Sequence, residues 1–450
     1  MNSQETIAAP ITASGQAGVT VIRTSGSLTR EILHSLTDSA AEIIENPREL
    51  KLARVLDSRT TLDRALVVYF PGPGSFTGED CAEFHLHGSP YLRARLLELL
   101  AENGVRLAGP GEFTERAFHN GKIDLAQAEA VADLIASETD AQAKAAESQL
   151  SGQLSGAIAD LGEPLRNLLA EIEAHIDFPD EDIDPESWSG WKSRVDSVKA
   201  QLNQYLASYS RGKLVREGAR VTLLGVPNAG KSSLLNRILG EERVIVTPVA
   251  GTTRDSVEAR ISIHGVPVSI FDTAGLESEQ RKAGEIEKLG VEKSWQAASE
   301  ADLNLFVYDS SQGEPDRELL SKLENNTAPT ILVANKSDLK GPKKESNAVI
   351  VSAHTGSGIE SLLKEIAEAL SISHKPNSGE VLITSIRHFT CLETSSSRLD
   401  SALEGCSSQV PAELVAADIR SALSSLDEII GVTENEDILG RIFSKFCVGK

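Results

Sequence analysis

Val221-Thr222-Leu223-Leu224 followed by Gly225-Val226-Pro227-Asn228-Ala229-Gly230-Lys231-Ser232 reads as an apolar strand that breaks into a GxxxxGK[ST] loop. In such a loop the glycines let backbone N–H groups close around a phosphate. The lysine neutralises β- and γ-phosphate charge, and the Ser232 hydroxyl reaches a magnesium ion. One such motif also fits an adenine-nucleotide site, so the neighbouring sequence has to decide the base.

Downstream, three more motifs follow in order. Asp272-Thr273-Ala274-Gly275 closes an apolar strand, where the carboxylate can hold a metal-bound water and the Gly275 N–H can reach a γ-phosphate. Asn335-Lys336-Ser337-Asp338 closes another. The Asp338 carboxylate matches the two N–H donors on one edge of guanine, which adenine lacks, and the Lys336 stem can cover the ring. Ser352-Ala353, with His354 beside them, ends a third strand and can cap the base through a backbone N–H. Thr252-Thr253 follow Ala250-Gly251 in the loop after the first helix, and Thr253 is the expected second Mg²⁺ ligand. Motifs at the carboxyl ends of successive strands predict a parallel sheet with helices on both faces, binding GTP. Leu276 stands where a water-orienting glutamine would be needed, so another group must do that work. Glu277, Glu279, Glu285 and Glu287 all follow closely, and spacing does not choose among them.

At 450 residues the chain suggests about three domains, and 40% hydrophobic content suffices for their cores. The expected division is a mixed α+β domain over 1–119, a helical domain made of 120–216 and 375–450, and a nucleotide domain over 217–374 inserted into it. The multidomain α/β plus α reading rests on composition shifts. Ala65–Phe70 is a buried strand ended by Pro71-Gly72-Pro73-Gly74, and Tyr91–Glu102 is an amphipathic helix. From Asp124 to Arg216, and again after Lys375, Ala, Leu, Glu and Gln at helical spacing take over. A net charge of −22 argues against nucleic-acid binding over the whole surface, so an RNA substrate needs a local basic patch or a partner that supplies one. The four cysteines are widely spaced, and no signal-like or bilayer-length apolar segment is visible, which predicts a cytoplasmic protein without membrane contact.

Further blocks extend across the chain: Ser75-Phe76-Thr77-Gly78-Glu79-Asp80, Pro110-Gly111-Glu112-Phe113-Thr114-Glu115-Arg116-Ala117-Phe118, Asp124-Leu125-Ala126-Gln127-Ala128-Glu129-Ala130 and the terminal Phe446-Cys447-Val448-Gly449-Lys450. With Pro227 to Ser233 and Ala250-Gly251-Thr252-Thr253-Arg254-Asp255, the sequence resembles the MnmE (TrmE) family of tRNA-modifying GTPases over its whole length. The resemblance implies a homodimer formed through the N-terminal domain and a flavoprotein partner, MnmG (GidA), in a heterotetramer-type complex. It also implies addition of a carboxymethylaminomethyl-type group to carbon 5 of the wobble uridine of certain tRNAs. The one-carbon unit would come from a tetrahydrofolate derivative, 5,10-methylene or 5-formyl, held by Arg23, Glu79, Lys122 and Lys450. GTP hydrolysis would depend on potassium and drive dimerisation of the nucleotide domains. The potassium would sit on Asn228 with carbonyl oxygens of Thr247, Val249 and Thr252. Matching positions extend the GTP site over Asn228 to Ser233 and over Thr247-Pro248-Val249-Ala250-Gly251. Glu287 takes the water-activating role beside Lys231 and Asp272, with Glu285 as competitor.

Three weaker signals have plainer readings. His85-Leu86-His87 reads as strand packing, since no third metal ligand accompanies it. The acidic run Phe178–Asp184 lacks calcium-loop spacing and reads as a solvated turn. Cys447 reads as a buried structural thiol. The competing function is a GTP-dependent switch in ribosome or RNA assembly without modification chemistry. The N-terminal blocks and the Cys-Val-Gly-Lys terminus argue against it.

Overall fold

A computed structural model describes residues 5–177, 185–242, 259–272, 296–315, 320–321, 323, 328–339, 347–370, 372, 381–432 and 436–450. The chain is a multidomain assembly of mixed α/β and helical parts. Its contacts divide into two compact units, Met1–Ala132 with Asp427–Lys450, and Asp133–Leu426.

The first unit is built on a six-stranded sheet of β1 (Ile7–Pro10), β2 (Ala17–Ser25), β3 (Lys51–Asp57), β4 (Thr60–Phe70), β5 (Cys81–Gly88) and β6 (Arg106–Leu107), in the order β3-β4-β5-β2-β1-β6. Alternation along the strands sends Ile22, Val55, Val67, Tyr69, Phe84 and Leu86 to one face. There they pack with Ile32, Leu33 and Leu36 of the Thr29–Leu36 helix and Leu96, Leu99 and Leu100 of the Pro90–Glu102 helix. The strand read at Ala65–Phe70 is the second half of β4, whose first five residues are polar apart from Leu62 and give no sustained apolar signal. The C-terminal tetrapeptide lies against the start of the Glu112–His119 helix. Val448 bridges Pro110, Gly111 N–H donates to the Cys447 carbonyl (3.5 Å), and Phe113 N–H donates to the Lys450 carbonyl (3.2 Å).

The second unit holds long helices, Gln153–Asp177, Pro185–Glu217 and Ile386–Ser408, and a second six-stranded sheet. Its strands are β7 (Ala219–Leu224), β8 (Ala259–Ile263), β9 (Val266–Asp272), β10 (Leu303–Asp309), β11 (Thr330–Asn335) and β12 (Val349–Ile350), ordered β12-β11-β10-β7-β9-β8. All neighbours are parallel except β8, which pairs antiparallel with β9. Both faces are covered. Val221, Leu223, Leu305, Val307 and Val333 point into one core with Leu234, Ile238, Leu362 and Ile366, whereas Leu224, Phe306, Tyr308 and Ala334 point into another. The helical run after Asp124 is interrupted where Thr139 and Gln142 form a capping box that starts the Asp140–Leu150 helix.

Candidate functional site

The phosphate loop follows β7 and leads into the Lys231–Glu241 helix. Two of its glycines are required by shape. At Gly225 (φ +138°) a Cβ would sit 2.0 Å from the Val307 carbonyl oxygen of β10. At Gly230 (φ +92°) it would sit 2.3 Å from Asn335 Nδ2. Lys231 is buried, and its ammonium turns into the loop to donate to the carbonyls of Gly225 (2.6 Å) and Val226 (3.3 Å). Beside the helix start, Ser232 Oγ donates to Asp272 Oδ2 (2.6 Å). Parallel pairing of β7 with β9 produces this meeting by placing Leu223 opposite Asp272. Adjacent hydroxyl and carboxylate oxygens suit a hard divalent ion such as Mg²⁺, whereas the helix N-terminus beside them suits a phosphate.

The base-side loops are tied to the phosphate loop. Asn335 is buried, with Nδ2 donating to the Ala229 carbonyl (3.0 Å) and Oδ1 accepting from Ala353 N–H (3.1 Å). Lys336 Nζ donates to the Asn228 carbonyl (2.8 Å) and to Asp309 Oδ2 (2.8 Å). Ser352 Oγ donates to Asp338 Oδ1 (2.6 Å), and this bond holds the Asp338 carboxyl below its ordinary range. Ser337 N–H donates to the Val351 carbonyl (3.2 Å), and His354 lies exposed beside the same loop. Asn228, Ala229, Gly230, Lys231, Ser232, Asp272, Asn335, Lys336, Ser337, Asp338, Ser352, Ala353 and His354 thus lie along one edge of the sheet, at the carboxyl ends of β7, β9, β11 and β12. Ser233 occupies the first turn of the adjoining helix. Thr247, Pro248, Val249, Ala250, Gly251, Thr252, Thr253, Thr273, Ala274, Gly275, Glu285 and Glu287 lie outside the described residues, as does the acidic run 178–184. Of the potassium set, Asn228 is described. It holds a positive φ of 66° on an exposed turn.

A second polar cluster occupies the first unit. Glu79 accepts from Ser25 Oγ (2.6 Å) and from Arg116 Nη1 (3.1 Å). Arg23 pairs with Glu83 (2.8 Å), and its guanidinium carbon lies 5.2 Å from the Phe76 ring centroid and 5.9 Å from that of Phe113. Lys122 Nζ donates to the Pro73 carbonyl (2.9 Å), and its stem passes beside Gly78. Lys450 joins through its carbonyl bond from Phe113. Two guanidiniums, each paired with a carboxylate, thus lie beside an exposed Phe76.

Several sequence readings change here. Cys447 is exposed, not buried, because the terminal segment is held through its backbone to Gly111 and Phe113 and leaves the thiol outside. His85 and His87 are not packed into the sheet's core face. They stand on the opposite face, each beside a carboxylate, Glu83 (3.2 Å) and Asp63 (2.8 Å). Asp309 and Arg116 belong to the two sites without a motif of their own to mark them. Arg116 lies one helical turn from Glu112 inside a block already quoted, and Asp309 is the acid that ends the apolar run of β10.

Two family models match the chain, "MnmE helical domain" over residues 125–447 and "GTP-binding protein TrmE N-terminus" over residues 6–122. It is similar to a protein called tRNA modification GTPase MnmE in Natranaerobius thermophilus, at 39% identity over 462 residues covering 100% of both chains. A protein of the same description in Dechloromonas aromatica is 41% identical over 457 residues, covering 99% of each. A third, in Yersinia pestis, is 40% identical over 465 residues, covering 100% of each. With a nucleotide site of this construction and relatives matched from end to end, the chain belongs to the MnmE family of tRNA modification GTPases.

Proposed function

We propose that this protein hydrolyses GTP to drive modification of carbon 5 of the wobble uridine in certain tRNAs. It would do so with a flavoprotein partner of the MnmG type, as a cytoplasmic homodimer. The observation that supports this most is the hydrogen-bonded tie between the phosphate loop and the base-side loops, Asn335 to Ala229 (3.0 Å) and Lys336 to Asn228 (2.8 Å). Such a tie suits one ligand that spans both. Lys231 would neutralise the β- and γ-phosphates, Ser232 with Thr253 would hold Mg²⁺, and Asp272 would orient that ion's water. Asp338 would select guanine. Bound Mg²⁺ supplies charge neutralisation as the phosphoryl group departs. Glu287, or Glu285, would orient the attacking water.

We also assign potassium to Asn228 with the carbonyls of Thr247, Val249 and Thr252, in place of an arginine finger. A second positive charge on the phosphates typically accelerates such transfers by roughly 10³ to 10⁵. Turnover should therefore be at least about tenfold faster in potassium than in sodium at equal ionic strength. Asn228→Ala should remove most of that difference while leaving GTP binding nearly intact. Equal rates in both salts would reject the potassium assignment.

The first unit, with Arg23, Glu79, Lys122 and Lys450, would hold a reduced folate. Among the described residues no helix is long and apolar enough to cross a membrane. Titration calorimetry with 5-formyl-tetrahydrofolate should give heat with the wild-type dimer and little with Arg23→Ala. A silent wild type would remove the folate reading. The domain boundaries 1–119, 120–216, 217–374 and 375–450 belong to the same proposal.

A further inference from the structure

Asp309 ends β10 and is almost fully buried, yet no motif used to assign the nucleotide site includes it. Its two oxygens have separate tasks. Oδ1 accepts from the backbone N–H (3.0 Å) and hydroxyl (2.6 Å) of Ser311, which fixes the carboxylate plane. Oδ2 then faces Lys336 Nζ at 2.8 Å, with Gln312 Nε2 at 3.1 Å. Burial alone would raise the Asp309 carboxyl, but Lys336 and Ser311 outweigh it and hold the group below its ordinary range.

Lys336 and Asn228 both sit in the left-handed region, at φ +62° and +66°. For residues other than glycine such conformations persist only where surrounding contacts hold them. The Nζ–Asn228 carbonyl bond is one such contact at both ends. A lysine side chain that is 31% exposed has water as an alternative, so something must keep the ammonium at the loop. The fixed Oδ2 of Asp309 is placed to do that.

We infer that Asp309 is a positioning residue for guanine-nucleotide binding, locking Lys336 against the Asn228 carbonyl so that the base loop and the phosphate loop are set together before the ligand arrives. This rests on the guanine-nucleotide reading of the site. The described hydrogen bonds of the Asp309 carboxylate are to Ser311, Gln312 and Lys336. Its effect passes through Lys336.

The test is calorimetric titration of GDP into the full-length wild type, Asp309→Asn, Lys336→Met and the double variant, with unliganded melting curves for each. Asp309→Asn keeps the side-chain shape and so guards against a folding defect. The expected result is a GDP affinity about tenfold weaker in Asp309→Asn, the low end for one charged hydrogen bond. The double variant should be no weaker than Lys336→Met alone, because the carboxylate has nothing left to position. Wild-type affinity in Asp309→Asn overturns the inference. Independent losses that multiply in the double variant overturn it too, since they assign Asp309 a merely structural part. A wild type that binds no GDP would instead reject the guanine-nucleotide reading on which the inference rests.

Discussion

Replacing Gly230 by alanine tests whether the phosphate loop and the guanine loop are one construction. The added methyl would lie 2.3 Å from Asn335 Nδ2, at a backbone φ of +92°. The left-handed conformation costs an L-residue about 1–2 kcal/mol. Moving the Asn335 amide aside also disturbs its bonds to the Ala229 carbonyl and the Ala353 N–H. Each bond is worth about 0.5–1.5 kcal/mol net. Together these give about 2–5 kcal/mol, shared between a less stable nucleotide domain and weaker binding. If half or more falls on binding, affinity drops by roughly fivefold to a few thousandfold. Anisotropy titration of a fluorescent GTP analogue against the full-length variant reads this directly, and thermal unfolding of the unliganded protein reads the remainder. An alanine variant with both affinity and melting temperature at wild-type values would refute the reasoning.

Asp338→Asn should weaken GTP and strengthen xanthosine triphosphate, because xanthine has a carbonyl where guanine has the amine that Asp338 accepts. Competition binding with both nucleotides checks this, and unchanged GTP affinity would reassign the base-reading residue. Arg116→Gln should loosen the Glu79 carboxylate, whose other described donor is the Ser25 hydroxyl, and weaken 5-formyl-tetrahydrofolate in calorimetry. Glu115 carries a pH prediction: burial, with a smaller opposing pull from His119, raises its carboxyl above the ordinary 4.5. A raised acid penalises folding once it must ionise, with no penalty below the unfolded pKa and the full penalty above the folded one. Glu115→Gln should therefore melt above wild type at neutral pH, and the gap should close below about pH 4.

The nucleotide side of the molecule was legible because its chemistry is local. Lys231 with Ser232, and Asn335 with Asp338, sit in short runs at strand ends, where sequence order already implies spatial order. What escaped the reading is made by long-range register. Asp309 meets Lys336 because β10 and β11 lie parallel with Asp309 opposite Asn335. Arg116 meets Glu79 across 37 positions of chain. The exposure of Cys447 is not legible because a lone thiol near lysines says nothing about burial, whereas backbone bonds from Gly111 and Phe113 decide it. The six-stranded sheet of the first unit was read mainly from β4, since β2 and β3 alternate apolar and polar residues too irregularly to stand out.

The most direct measurement is mass analysis of wobble uridines in tRNA from cells lacking this gene, complemented with the wild type or with Lys231→Ala. The aminomethyl-type substituent at carbon 5 should be lost in the deletion, and restored by the wild type but not by the variant. An unchanged set of modified wobble uridines in the deletion, alongside a ribosome-assembly defect, would contradict that expectation and favour the switch without modification chemistry.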